Sequence, residues 1–193
     1  MLHTFPWQAR HSLPVLLLLL VIGALALFPM MWQFQLDFVA NLIYQGEWWR
    51  LVSGHLIHSN LNHLALNSAG IIALWALHGH YYNGPRLITA LFGSALLISF
   101  AVLLFADYDR YVGLSGCLHA LFVIGMLEDF KRQDKTAWLL LAGLVIKLGY
   151  ELSFGASEDL KAMIEVDVAT KAHLYGAISG LIVFPLWQKI KLK

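Results

Sequence analysis

Charge is scarce in this sequence. Only 13% of its 193 residues are Asp, Glu, Lys or Arg while 59% are hydrophobic, a balance far more apolar than a soluble domain of this size needs for its core. Neither sign prevails: the net charge is +1, and no basic tract is interleaved with aromatics, which sets nucleic-acid binding aside. Cysteine is nearly missing too. Cys117 stands alone, so an internal disulfide is excluded, and its apolar neighbours mark it as packing. No internal repeat, low-complexity tract or linker divides the chain, which argues for one bundle domain over residues 1–193.

What is present is length in apolar runs. A hydrocarbon core about 30 Å thick takes roughly 20 helical residues to cross. Six runs near that length occur, at 13–32, 61–81, 87–106, 114–130, 136–153 and 169–187, predicting an all-α membrane protein built as a six-transmembrane-helix bundle. The first also has features of a signal peptide, with Arg10 and His11 before a leucine-rich stretch and Ala24-Leu25-Ala26 imitating a cleavage site. It is nonetheless long enough to span, and keeping it makes the topology close.

With the N-terminus inside, the inner segments carry Arg10, Arg86, Lys131, Arg132, Lys135, Lys189, Lys191 and Lys193, against Arg50, Arg110, Lys161 and Lys171 outside. This positive-inside bias places both termini in the cytoplasm. The outer segments hold the acids Asp37, Glu47, Asp107, Asp109, Glu151, Glu158, Asp159, Glu165 and Asp167, a weaker indicator of the same orientation. Helices two, four and six then all start at the outer face, which brings polar clusters distant in sequence to one membrane depth. Within the longest outer connection, 33–60, Trp48 and Trp49 suit the headgroup level, so this segment is expected to lie in the interface.

Helix four opens with Gly113-Leu114-Ser115-Gly116, placing a hydroxyl where unpaired N–H groups and the helix dipole favour developing negative charge. Such a position suits a nucleophile, although a serine cap on a small-residue packing helix has the same sequence. Helix six contains His173 beside a small face of Ala172, Gly176 and Gly180, while Gly116 and Ala120 supply a matching groove on helix four. Close packing of these faces would bring an imidazole to Ser115, and a serine hydroxyl becomes a useful nucleophile when a base about 3 Å away takes its proton. An ionisable residue inside a membrane is a functional candidate by default.

On helix two, His63 and Asn67 sit one turn apart on one face, after His58. Their side-chain N–H groups, with the Ser115 backbone N–H, could hold the oxyanion of a tetrahedral intermediate. The rival is a metal site, to which His78 and His80 would add imidazoles. Against it, there is no His-Glu-x-x-His motif, no carboxylate ligand is near His63, and His78 and His80 belong to the opposite membrane face.

Together these segments resemble the rhomboid family of intramembrane serine proteases, from the outer end of helix one through helix six. The resemblance is carried by Trp49-Arg50, by the spacing of His58, His63 and Asn67, by Gly113-x-Ser115-Gly116, and by Ala172-His173-x-x-Gly176-x-x-x-Gly180. It implies a rhomboid-like bundle needing no cofactor, with Ser115 attacking, His173 as general base, and His63 and Asn67 in the oxyanion hole. One departure stands out. Rhomboids usually have a tyrosine four residues after the serine, stacked on the catalytic histidine; here His119 takes that place, able to stack on His173 or to hydrogen-bond with it. The short chain and the Gly-Leu-Ser-Gly-Cys-Leu-His run resemble the rhombosortase branch, whose membrane-anchored protein substrates carry a C-terminal Gly-Gly motif, a hydrophobic helix and a basic tail. That branch implies a bacterial inner membrane with the site facing the periplasm.

Lys147 and Glu151, four apart near the outer end of helix five, read either as a snorkelling ion pair or as part of a mobile substrate gate. Arg50 reads as an anchor of the first loop. Two other functions compete with proteolysis. A catalytically silent rhomboid-like protein would bind or escort membrane segments, but such proteins usually lose the nucleophile or base, and both are here. A small transporter predicts inverted repeats, which the sequence lacks.

Overall fold

Short polar punctuation between apolar runs decides where the helices begin. Asn60 Oδ1 accepts from the His63 N–H at 2.9 Å and Asn83 Oδ1 from the Arg86 N–H at 3.0 Å, each capping a long helix whose first N–H groups have no partner within it. A computed structural model describes residues 5–106 and 108–192; Asp107 and Lys193, counted above for orientation, lie outside the described residues. The helices are α1 (Ala9–Ala26), α2 (Met30–Phe34), α3 (Ala40–Tyr44), α4 (Arg50–Ser53), α5 (Leu61–His78), α6 (Gly84–Phe105), α7 (Ser115–Lys131), α8 (Thr136–Phe154), α9 (Glu158–Ile164) and α10 (Thr170–Gln188). Two short strands, β1 (Phe38–Val39) and β2 (Arg110–Tyr111), pair antiparallel with Phe38 opposite Tyr111.

Three helices, α1, α6 and α8, are long and apolar enough to cross a membrane, and they match the expected first, third and fifth spans. Their leucines, phenylalanines and isoleucines are largely exposed, among them Leu16, Leu20, Ile88, Phe92, Leu139 and Ile146, as lipid-facing residues would be. The expected second, fourth and sixth spans form α5, α7 and α10, but these are shorter or diluted by polar residues and do not reach the same apolar content. Among the diluting polar residues are His63, Asn67, Ser115 and His173, all on these three helices. The first run, expected to continue to residue 32, breaks at Ala26, because Pro29 caps a separate turn, α2.

At the centre, α7 and α10 cross with almost no space between them. A Cβ on Gly176 would lie 2.0 Å from the Gly116 carbonyl oxygen, and one on Gly180 would lie 2.7 Å from that of Ala120. The small faces expected from sequence therefore meet. Between α1 and α5, residues 27–60 fold into a compact segment tied by Arg50, which is buried and donates to the carbonyls of Phe34 at 3.0 Å and Asp37 at 2.7 Å and to Glu47 at 2.6 Å. Arg50 is thus an anchor of the loop, as its sequence context indicated. Trp48 and Trp49 remain largely exposed, and Trp49 Nε1 donates to the Gln35 carbonyl at 3.0 Å.

Candidate active site

Ser115 is the first residue of α7, so its backbone N–H has no partner within the helix and its hydroxyl stands at the positive end of the dipole. The approach of α10 places His173 Nε2 2.9 Å from Ser115 Oγ. This contact spans 58 residues of sequence, yet it follows from the same crossing that puts Gly176 on Gly116.

His119, one turn after Ser115, lies over the His173 ring at 4.3 Å between centroids and 16° between planes. Of the two roles left open, stacking is the one observed. Its Nδ1 is 2.8 Å from the Ser115 carbonyl, which can only accept, so Nδ1 carries the proton there.

His63 and Asn67 face the same cavity as Ser115 and His173, a space of about 700 Å³ also bordered by Leu140, Gly143 and Leu144 of α8. Asn67 Nδ2 donates to the His63 carbonyl at 3.0 Å, which leaves its second hydrogen for the cavity. The His63 imidazole packs on Gly113, where φ of +117° and a ring atom 2.7 Å from the Cβ position both demand glycine. His58 is edge-on to His63 at 5.1 Å; burial, then the His63 ring, pushes it down to about 3, so it serves as a neutral packing partner.

A short helix, α9, covers the cavity at the start of α5. Asn60 and Asn62 Nδ2 donate to the Met163 carbonyl at 3.0 and 3.1 Å, and Ser59 Oγ donates to that of Ile164 at 2.6 Å, clasping α9 to the start of α5. Ser59 Oγ is also 3.1 Å from His63 Nδ1. Leu160 and Ile164 of α9 line the cavity.

Glu151 is the residue whose place the sequence did not disclose. Its sequence context groups it with the outer acids and with Lys147, four residues before it. That pair exists at 2.8 Å through Oε1, but Oε2 turns inward and meets His173 Nδ1 at 2.9 Å. The one available signal is a carboxylate in a helix whose other charged residue is Lys147.

Metal ligation was the rival reading. His63 and His78 lie at opposite ends of α5, about 22 Å apart at 1.5 Å per residue, and His78 Nε2 pairs with Asp129 at 3.0 Å. Among the described residues, His119, Glu151 and His173 bring ligand atoms within 4.8 Å of one another. Their two rings are nearly parallel, however, so their in-plane lone pairs run side by side and do not converge on an ion about 2 Å away.

Comparison with known proteins gives a match of residues 45–189 to the Rhomboid domain family model. The chain is 27% identical over 146 residues to the rhomboid protease GluP of Bacillus subtilis, covering 72% of this chain and 26% of that protein. It is 22% identical over 142 residues to YdcA of the same strain, covering 73% of this chain and 68% of the relative. The chain thus spans about a quarter of the length of the first relative.

Proposed function

Since the chain belongs to the rhomboid family, we propose that it is an intramembrane serine endopeptidase that cleaves a transmembrane segment of a protein substrate near the outer membrane face. The observation that carries this reading is the 2.9 Å contact between Ser115 Oγ and His173 Nε2, opening onto a cavity lined by His63 and Asn67. In this mechanism His173 takes the Ser115 proton as Oγ attacks the scissile carbonyl. The oxyanion is held by the Ser115 backbone N–H and by Asn67 and His63, and the proton on His173 then passes to the leaving amine. The acyl-enzyme is released by water. For His63 to donate from Nε2, its Nδ1 must accept, and the Ser59 backbone N–H donates to it at 3.5 Å.

The proposal extends to six membrane-crossing helices with both termini in the cytoplasm of a bacterial inner membrane, and to rhombosortase-type substrates ending in Gly-Gly, a hydrophobic helix and a basic tail. Support for the orientation is the positive-inside count; support for the substrate class is the Gly-Leu-Ser-Gly-Cys-Leu-His run. The test is cleavage of a purified Gly-Gly-tailed membrane substrate in detergent or liposomes. Ser115→Ala and His173→Ala, each folded, should lose cleavage by at least about 10³-fold. Parental rates in either variant would refute the reading.

A further inference from the structure

Of the polar side chains on the cavity wall, the protease reading gives His119, Lys147 and Glu151 no chemical step, and Glu151 is the one bonded to His173. Glu151 lies on α8, a helix with mean hydropathy 1.5 in which Lys147 and Glu151 are the charged residues. A carboxylate is costly at such a place unless its partners repay it. Lys147 alone does not account for its position. The Lys147 side chain is 47% exposed, whereas Glu151 is 11% exposed and divides its oxygens, Oε1 to Lys147 and Oε2 to His173 Nδ1. A glutamate serving only the ion pair would follow the lysine toward water.

The partners of His173 complete the picture. Its Nε2 faces Ser115 Oγ at 2.9 Å, its ring face is covered by His119, and its Nδ1 faces Glu151 at 2.9 Å. Neutral imidazole has one donor and one acceptor nitrogen. A carboxylate beside an ammonium offers acceptors only, so the Nδ1 side must donate, which leaves Nε2 as the acceptor that a base needs. Lys147 on α8, His119 on α7 and His63 on α5 are the other charged or titratable groups nearby; among the described residues their hydrogen bonds and ion pairs go to Glu151 Oε1, the Ser115 carbonyl and Ser59, not to Nδ1.

We infer that Glu151 is a positioning residue completing a Ser115-His173-Glu151 relay: it accepts the Nδ1 hydrogen, fixes the tautomer whose Nε2 takes the Ser115 proton, and balances the imidazolium so formed. The inference rests on the protease reading. Protons balance without ionising anything further: the Oγ hydrogen moves to Nε2 as the Oγ–C bond forms, the Nδ1 hydrogen stays on His173, and Glu151 is never protonated. The leaving amine then takes the Nε2 hydrogen. Ser-His-acid geometry of this kind recurs on unrelated folds and is recognised by roles, not by order in the chain.

The experiment has two arms. In the first, Glu151→Gln and Glu151→Asp are compared with the parent in cleavage of a Gly-Gly-tailed substrate. Glu151→Gln should lower kcat by about 10²-fold or more with KM nearly unchanged, and Glu151→Asp should recover part of the loss. In the second, 15N NMR of histidine-labelled parent protein reads which His173 nitrogen carries the proton; Nδ1 is expected, with the preference lost in Glu151→Gln. A parental kcat in Glu151→Gln overturns the inference, as does a parental His173 with its proton on Nε2, a result that needs no variant to fold. If Ser115→Ala cleaves like the parent, the protease reading itself fails. The NMR arm still reports the Glu151 contact, so the two failures are told apart.

Discussion

Replacing Gly176 by alanine probes the step on which the whole site depends, the crossing of α7 and α10. The added Cβ would stand 2.0 Å from the Gly116 carbonyl oxygen and 2.8 Å from its carbon, against backbone that cannot rotate away. Restoring ordinary contact at 3.4 Å or more asks the helices to part by roughly 1.4 Å. Gly176 follows His173 by three residues and Gly116 adjoins Ser115, so the 2.9 Å contact between Ser115 and His173 would stretch past hydrogen-bonding range. A misplacement of about 1 Å at reacting groups costs on the order of 10²-fold in rate, and overpacking costs about 1–3 kcal/mol of stability. The assay is the rate at which a fluorophosphonate labels Ser115 in detergent, with thermal unfolding run alongside. Gly149→Ala on α8 is the control, since nothing lies within 4 Å of its Cβ position, and it should label as the parent does. Gly176→Ala that is folded and labels at the parental rate would refute the claim that this crossing sets the geometry.

Two further outcomes follow from named contacts. Asn67→Ala removes a donor facing the cavity and should lower kcat by about 10²- to 10³-fold while fluorophosphonate still reaches Ser115, as measured by steady-state cleavage. Asn60→Ala deletes the cap on α5, whose oxygen accepts from the His63 N–H, and one of the clasps on α9; thermal unfolding should show a loss of about 1 kcal/mol.

The residues easiest to foresee were those marked by local pattern. Gly116, Gly176 and Gly180 announce close helix approach because a small face repeats every turn, and the pairing of Ser115 with His173 follows once those faces meet. His63 and Asn67 are one turn apart on α5, so one helical face carries both. Glu151 escaped for the opposite reason. Lys147 satisfies it locally, and a satisfied i,i+4 pair gives no sign of a second partner 22 residues away. The two-residue strands and α2, α3, α4 and α9 were also illegible: elements this short are held by tertiary contacts such as Arg50 on the Asp37 carbonyl or Asn62 on Met163, not by their own periodicity. Hydropathy likewise runs on past Ala26, where the first helix ends ahead of Pro29, the cap of α2.

The most direct measurement is mass-spectrometric mapping of the fluorophosphonate adduct on the purified parent, Ser115→Ala and His173→Ala. A single adduct on Ser115, absent from Ser115→Ala and slowed by orders of magnitude in folded His173→Ala, is the predicted result. Labelling at another residue, or at Ser115 with a rate indifferent to His173, would contradict it.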